Sequence, residues 1–157
     1  MSGETGGCQC GAVRFRVTGP LGRPSICHCR MCQKAFGAPY GALVSVKIAE
    51  LEWTRGARKR FASSNKVERG FCGDCGTPLT FEWSDKVIDL AIAAFDDPAP
   101  IAPVVQMALD SALPWTAGTA DLPTPPATHQ AQMQAHYEAV VSRQHPDHDT
   151  ETWPPGS

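Results

Sequence analysis

Apolar and polar residues alternate from Ala12 to Val17, with Val13, Phe15 and Val17 on one face and Arg14 and Arg16 on the other. A period of two predicts a strand with one face buried and one in water. Gly19, Pro20, Gly22 and Pro24 then break the pattern. Further short runs with strand character lie at Tyr40–Val46, Arg58–Ala62, Val67–Phe71, Leu79–Trp83 and Val87–Ala93, and one more near Val104–Leu109. Met31–Phe36 predicts a helical turn ended by Gly37. Short strands punctuated by Gly, Pro, Ser and Asn predict a mainly β protein of antiparallel sheets.

The pattern changes beyond Asp96. The stretch to Pro126 is rich in proline and predicts an extended, wrapped segment. Thr128 then reads as a helix N-cap, and Met133, Tyr137, Val140, Val141 and Gln144 recur at helical spacing. The expectation is a metal-binding domain over 1–127, an amphipathic helix over 128–144 packed on it through Met133, Tyr137 and Val140, and a loose tail over 145–157. A length of 157 residues suits one domain with a real core.

The cysteines sharpen this picture. All seven fall into three knuckles, Cys8-x-Cys10, Cys27-x-Cys29-x-x-Cys32 and Cys72-x-x-Cys75. An odd count, in a chain large for a disulfide scaffold, disfavours disulfides. A ring closed between Cys8 and Cys10 would also be badly strained. Four thiolates complete a closed tetrahedral zinc site, whereas three protein ligands with a vacant position mark a zinc that does chemistry. Cys8, Cys10, Cys72 and Cys75 resemble the two halves of a zinc ribbon, which leaves Cys27, Cys29 and Cys32 for a second ion. Gly7, Gly11, Gly73 and Gly76 flank the first and last pairs, where the backbone must fold round an ion.

Three readings of the second knuckle stand. It is an open site, a closed structural site completed by His129, His136, His145 or His148, or a reactive thiol without metal. His28 alternates away from its neighbours and is not counted as a ligand. Three soft thiolates make zinc a weak Lewis acid and favour a sulfur ligand in the open position. Such a site holds a thiol as thiolate near neutral pH.

Charge bounds the partners. With 14 Lys plus Arg against 16 Asp plus Glu, the chain is not a nucleic-acid binder working by bulk charge. Arg55, Arg58, Lys59, Arg60, Lys66 and Arg69 cluster, either as a solvated hairpin face or as a clamp for a ligand carboxylate. No apolar run reaches the roughly 18 residues of a membrane span, and Met1–Gly7 has no secretory character. A cytoplasmic protein is the expectation. Nothing in the sequence indicates an oligomeric state.

Three blocks together resemble the glutathione-dependent formaldehyde-activating family, whose members are also called S-(hydroxymethyl)glutathione synthases and which includes centromere protein V-type domains. The blocks are Gly7-Cys8-Gln9-Cys10-Gly11-Ala12-Val13, Cys27-His28-Cys29-Arg30-Met31-Cys32, and Ser63-Ser64 with Arg69-x-Phe71-Cys72-Gly73-Asp74-Cys75-Gly76-Thr77-Pro78-Leu79. The likeness runs from about Gly7 to Pro123, closing on Trp115 and Asp121-Leu122-Pro123.

The resemblance implies a β-tent fold, a structural zinc on Cys8, Cys10, Cys72 and Cys75, and a catalytic zinc on Cys27, Cys29 and Cys32. It implies a carbon–sulfur lyase or synthase, with glutathione taking the fourth zinc position and adding reversibly to formaldehyde. Two residues depart from the family pattern. Gln106 stands where many members carry histidine, and Phe61 where tyrosine is common. Rival functions are a non-catalytic zinc-binding interaction module and a glutathione carrier.

Overall fold

The computed structural model describes residues 3–154. Among these residues ten strands form two sheets. The smaller holds β1 (Glu4–Gly7), β2 (Arg14–Val17) and β5 (Leu51–Arg55), with β2 in the centre. The larger contains β3 (Pro24–Cys27), β4 (Gly41–Lys47), β6 (Lys59–Ala62), β7 (Glu68–Phe71), β8 (Pro78–Glu82), β9 (Val87–Ala91) and β10 (Val105–Met107). Its order is β10-β3-β4-β9-β8-β7-β6. All pairs are antiparallel except β10 with β3, which run parallel. The mainly β expectation holds, with this one parallel edge added. β1, β3 and β5 escaped the sequence pattern because Glu4-Thr5-Gly6-Gly7 and Pro24-Ser25-Ile26-Cys27 carry few β formers, and β5 begins directly after a helical turn.

Val13, Phe15 and Val17 point inward, as their alternation predicts, and meet Val44, Val46, Leu79, Ile88 and Leu90 of the larger sheet in one core. Phe15 is its hub, edge-on to Trp53 at 6.1 Å and to Phe95 at 5.1 Å. Gly6 lies against this ring. A Cβ there would collide with the Phe15 ring and the Ala94 carbonyl, so β1 tolerates no side chain at that position.

Arg14 corrects the alternation argument. It was expected on the wet face, yet it is 2% exposed. Its Nη1 and Nη2 donate to both carboxylate oxygens of Asp96, at 2.8 and 2.6 Å, and Nη2 donates to Asp149 at 2.8 Å. A buried guanidinium is tolerated when carboxylates satisfy its fork.

The C-terminal expectations are also corrected. α1 (Arg30–Phe36) ends at Gly37 as anticipated, with φ 58°. α2 spans Ala127–Glu138, is preceded by Pro126 with no side-chain cap, and buries no residue. Tyr137 is 62% exposed, and Val140 and Val141 are exposed beyond the helix. The helical spacing is present, but its apolar positions are interrupted by Gln and His and offer no continuous stripe to pack.

The tail expected to be loose is instead strapped to the body. The His145 N–H donates to the Gln9 carbonyl at 2.7 Å and its ring is buried, while Trp153 Nε1 donates to the Cys10 carbonyl at 2.6 Å. Residues 155–157 of that expected tail lie outside the described residues. No helix among the described residues is long and apolar enough to cross a membrane.

Candidate metal centres and the cavity beside them

Cys8 and Cys10 follow β1, and Cys72 and Cys75 sit in the turn between β7 and β8, so the pairs join the two sheets. Each pair is cut from a tight turn. The Gly11 N–H donates to the Cys8 carbonyl at 3.0 Å, and the Gly76 N–H to the Cys72 carbonyl at 2.9 Å. Gly11 and Gly76 both have φ of 78°, which explains glycine after the second cysteine of each pair. Gly7 and Gly73 need no such conformation.

The four ligand atoms lie within 4.8 Å of one another, with Cys8 and Cys10 sulfurs 3.6 Å apart and Cys10 and Cys72 sulfurs 3.8 Å apart. Four sulfurs about 2.3 Å from a tetrahedral centre stand ~3.8 Å from one another. The cluster therefore has the dimensions of a zinc-tetrathiolate. Burial pushes the Cys8, Cys10 and Cys72 thiols up. Burial also raises Cys75, but hydrogen bonds from Thr77 and Cys10 outweigh it and leave that thiol at about 6. Backbone N–H groups of Val13 and Asp74 point at the Cys8 and Cys72 sulfurs, at 3.3 and 3.4 Å, as thiolates require.

The second cluster is built by β3, the following loop and α1. Cys27 ends β3, Cys29 caps α1 by accepting from the Cys32 N–H at 3.4 Å, and Cys32 lies in the first turn. Buried Gln33 locks this segment, donating to the His28 carbonyl at 2.7 Å and the Ser111 carbonyl at 2.9 Å. The three sulfurs lie within 4.8 Å, and among the described residues no His, Asp or Glu joins them. His129, His136 and His148 are exposed elsewhere, and His145 stacks on Gly11. None of the four histidines completes the set.

His28 turns from the sulfurs, as its place in the alternation predicted. Its Nε2 donates to Gln106 Oε1 at 2.9 Å, and its ring lies edge-on to Tyr40 at 5.5 Å. Gln106, one of the two departures noted from the resemblance, is thus tied to the cysteine loop. Phe61 packs edge-on to Phe71 at 6.1 Å and stands exposed beside Met31, bringing no hydroxyl there.

Arg69 dominates the electrostatics. It is 3% exposed, its Nη2 donates to the Cys32 sulfur at 3.4 Å, and its Nε donates to Ser63 Oγ at 3.0 Å. The guanidinium carbon sits 4.8 Å from the Phe81 ring centre. Burial pushes the Cys32 thiol up to about 12 despite Arg69. Burial also raises Cys29, but the Cys32 N–H, its neighbouring thiols and Arg69 bring it below the ordinary value. One guanidinium alone does not offset one buried and two half-buried thiolates. A divalent cation does, so the donor set fits a soft metal ion such as zinc.

The other three arginines of the basic cluster are paired within the protein. Arg58 forks onto Glu82 at 2.6 and 2.9 Å, Arg60 pairs with Glu68, and Arg55 holds the Gly11 carbonyl and Thr150. Arg69 differs from them. Its signal in the sequence was a charge within a short strand, directly ahead of a cysteine pair.

Cys27, Cys29 and Cys32 open onto a cavity of about 140 Å³ lined also by Ser63, Ser64, Arg69, Phe81 and Asp89. Asp89 was missed by the sequence reading because a single acidic residue in a strand carries no motif.

Two sheets stapled by one cysteine cluster, with a second cluster opening on a cavity, define a mainly β protein with two candidate metal centres. Residues 4–111 match the family of glutathione-dependent formaldehyde-activating enzymes, and the chain belongs to that family. The matched span stops short of the Trp115 to Pro123 block.

An uncharacterized lyase of Schizosaccharomyces pombe is 30% identical over 80 residues, 51% of this chain and 58% of that protein. A Halomonas elongata protein provisionally named a glutathione-dependent formaldehyde-activating enzyme is 31% identical over 122 residues, 70% of this chain and 77% of the other. The chain thus spans little more than half of the first relative and about three quarters of the second. The crystal structure of a Rhodobacter sphaeroides protein shares the fold, with a TM-score of 0.54 at 20% identity, covering 66% of this chain and 99% of that one.

Proposed function

We propose that this protein is a zinc-dependent carbon–sulfur lyase or synthase that joins a small thiol, glutathione by the family's name, reversibly to formaldehyde or a related aldehyde. The observation that carries the reading is the three-thiol cluster, with no fourth protein ligand among the described residues, opening on a partly enclosed cavity beside a buried arginine. Cys8, Cys10, Cys72 and Cys75 would hold a structural ion, and Cys27, Cys29 and Cys32 a catalytic one. Zinc in the second site would supply an open position that keeps a thiol in its nucleophilic thiolate form near neutral pH.

The chain's own groups do the rest. In the synthetic direction the substrate sulfur bonds to the carbonyl carbon, the C=O π pair moves to oxygen, and that oxygen takes a proton. Arg69 faces the anionic sulfurs and offsets the added negative charge of a substrate thiolate. Ser63 and Ser64 bring hydroxyls to the cavity wall, where they relay a proton between solvent and the product oxygen. Gln106 is not an acid, and its oxygen is held by His28. Its role is positional, fixing the loop that carries Cys27 and Cys29. Phe81, Leu43 and Met107 line the cavity and limit the water that competes for the aldehyde.

Cobalt in place of zinc gives a visible reporter through its sulfur charge-transfer bands. Glutathione should intensify the bands of one site only, and S-methylglutathione should not. Exchange between free and adducted formaldehyde, followed by NMR, should then exceed the uncatalysed rate. Unchanged spectra with every small thiol would overturn the reading. Thiol binding without faster exchange would leave a carrier in its place.

A further inference from the structure

Four buried side-chain polar atoms among the described residues lack a hydrogen-bond partner, and two of them, Arg69 Nη1 and Asp89 Oδ1, belong to residues that line the cavity at Cys27, Cys29 and Cys32. Leaving such an atom unsatisfied is costly, more so when it is charged. A ligand, or ordered water, is the usual reason.

The two residues are placed by register. Arg69 on β7 pairs with Phe81 on β8, and Phe81 pairs with Asp89 on β9. Directly paired residues share a face, so the three side chains stand in a row across adjacent strands about 4.8 Å apart. Arg69 and Asp89 thus begin roughly 10 Å from each other with the Phe81 ring between them. The remaining atoms of both are spoken for. Arg69 spends Nε on Ser63 and Nη2 on Cys32, and Asp89 Oδ2 accepts from Trp83 Nε1 at 3.1 Å. What is left is one donor and one acceptor, beside three thiols.

We propose that Arg69 and Asp89 form a recognition pair for the main chain of a cysteinyl thiol. Arg69 Nη1 donates to its carbonyl or carboxylate oxygen, and Asp89 Oδ1 accepts from its nitrogen. This rests on the thiol-binding reading above and assigns to two named residues the choice of a cysteinyl thiol over other small thiols. A cysteinyl group carries a nitrogen donor and a carbonyl acceptor on the one carbon next to CH₂–SH. The cavity is small, about 140 Å³, and partly open, so it can take a cysteinyl group without enclosing the rest of a larger peptide. The polar pair also gives selectivity that an apolar pocket lacks, because a thiol missing either group leaves a buried charge unpaired.

The test is a thiol series on the cobalt-loaded full chain, with dissociation constants read from the charge-transfer bands. Glutathione, N-acetyl-L-cysteine and L-cysteine carry both groups, 3-mercaptopropionate lacks the nitrogen, cysteamine lacks the carbonyl, and 2-mercaptoethanol lacks both. At least one of the first three should bind tenfold or more tightly than each of the others. Glutathione over L-cysteine identifies a peptide ligand, and the reverse order a free amino acid. Both orders support the pair.

In Asp89→Ala the preference of the best cysteinyl thiol over 3-mercaptopropionate should collapse to within threefold. Should that variant not fold, Asp89→Asn is read the same way. It keeps the oxygen that Trp83 uses and turns an amide nitrogen toward the ligand's N–H. All wild-type constants within threefold of one another, or a preference that survives loss of the Asp89 carboxylate, would overturn the proposal while leaving thiol binding intact. Absence of binding by every thiol would overturn the reading beneath it as well.

Discussion

The Trp153 indole donates to the carbonyl of Cys10 at 2.6 Å, across 143 positions of the chain. Asp149 meanwhile bridges Arg14 and Arg16 of β2, and His145 lies on Gly11, where any Cβ would strike its ring. The last described segment is therefore a strap over the first cysteine pair, placed where it covers a carbonyl and shields a buried guanidinium.

Removal of residues 144–157 should accordingly do more than shorten the protein. It strips Arg14 of one carboxylate and exposes the turn that carries Cys8 and Cys10. We expect a fall in melting temperature of about 5–10 °C, from roughly 2–3 kcal/mol of lost charged hydrogen bonds. Metal should also leave the four-cysteine site faster in the presence of a chelator. An unchanged melting curve would show that the strap contributes nothing.

The Arg14 network sets the acid limit. Burial raises the Asp96 and Asp149 carboxyls, but hydrogen bonds from Arg14, with Thr5 helping Asp96 and Arg16 helping Asp149, hold both below the ordinary 3.8. A depressed folded pKa contributes stability that is fully present above the unfolded value and is lost as pH falls through the folded one. Wild-type stability should therefore decline below about pH 4. Arg14→Leu leaves Asp96 part-buried without its partner and should cost about 3–5 kcal/mol at neutral pH. Asp149→Ala should cost only about 1–2 kcal/mol, since that carboxylate is one third exposed. Urea titrations at pH 7 and pH 4 check both, and the gap between Arg14→Leu and wild type should narrow at the lower pH.

Where side chains declare themselves by chemistry, the sequence was readable. Cysteine spacing separated two clusters, and strand periodicity located seven of the ten strands. Arg14 was not readable, because its carboxylates come from Asp96 and Asp149, far along the chain. The recognition pair was equally hidden. Arg69 and Asp89 share a face only through the order β7-β8-β9, which no local pattern encodes. The strap failed for a different reason. Its polar composition reads as solvated, whereas its bonds are to backbone carbonyls and arginines that become available only after the sheets have formed.

The two cysteine clusters should respond differently to the loss of one thiol. Cys72→Ser opens the knot between the sheets, and a structural zinc contributes on the order of 10 kcal/mol to folding. That variant should be unfolded or aggregated by circular dichroism. Cys29→Ser removes a sulfur from an edge loop already locked by Gln33. It should keep its near-ultraviolet spectrum and melt within a few degrees of wild type, while retaining a single metal ion. Equal unfolding of both variants would make the three-cysteine cluster structural.

Arg69 supplies the sharpest test of how the open site is balanced. The guanidinium is buried against Cys32, whose thiol burial drives up to about 12, so the cation favours the thiolate form of that sulfur. Protein prepared without chelators should hold up to two zinc ions per chain, one released readily by a chromogenic chelator and one slowly. In Arg69→Met the fast ion should be lost at roughly tenfold lower chelator concentration, the equivalent of about 1.4 kcal/mol, while the slow ion is unaffected. Arg69→Lys should recover part of the difference. It keeps the charge but not the fork that reaches Ser63 and Cys32 together. If both ions were released alike in all three proteins, Arg69 would be a packing residue, and the charge of the three thiolates would be balanced elsewhere.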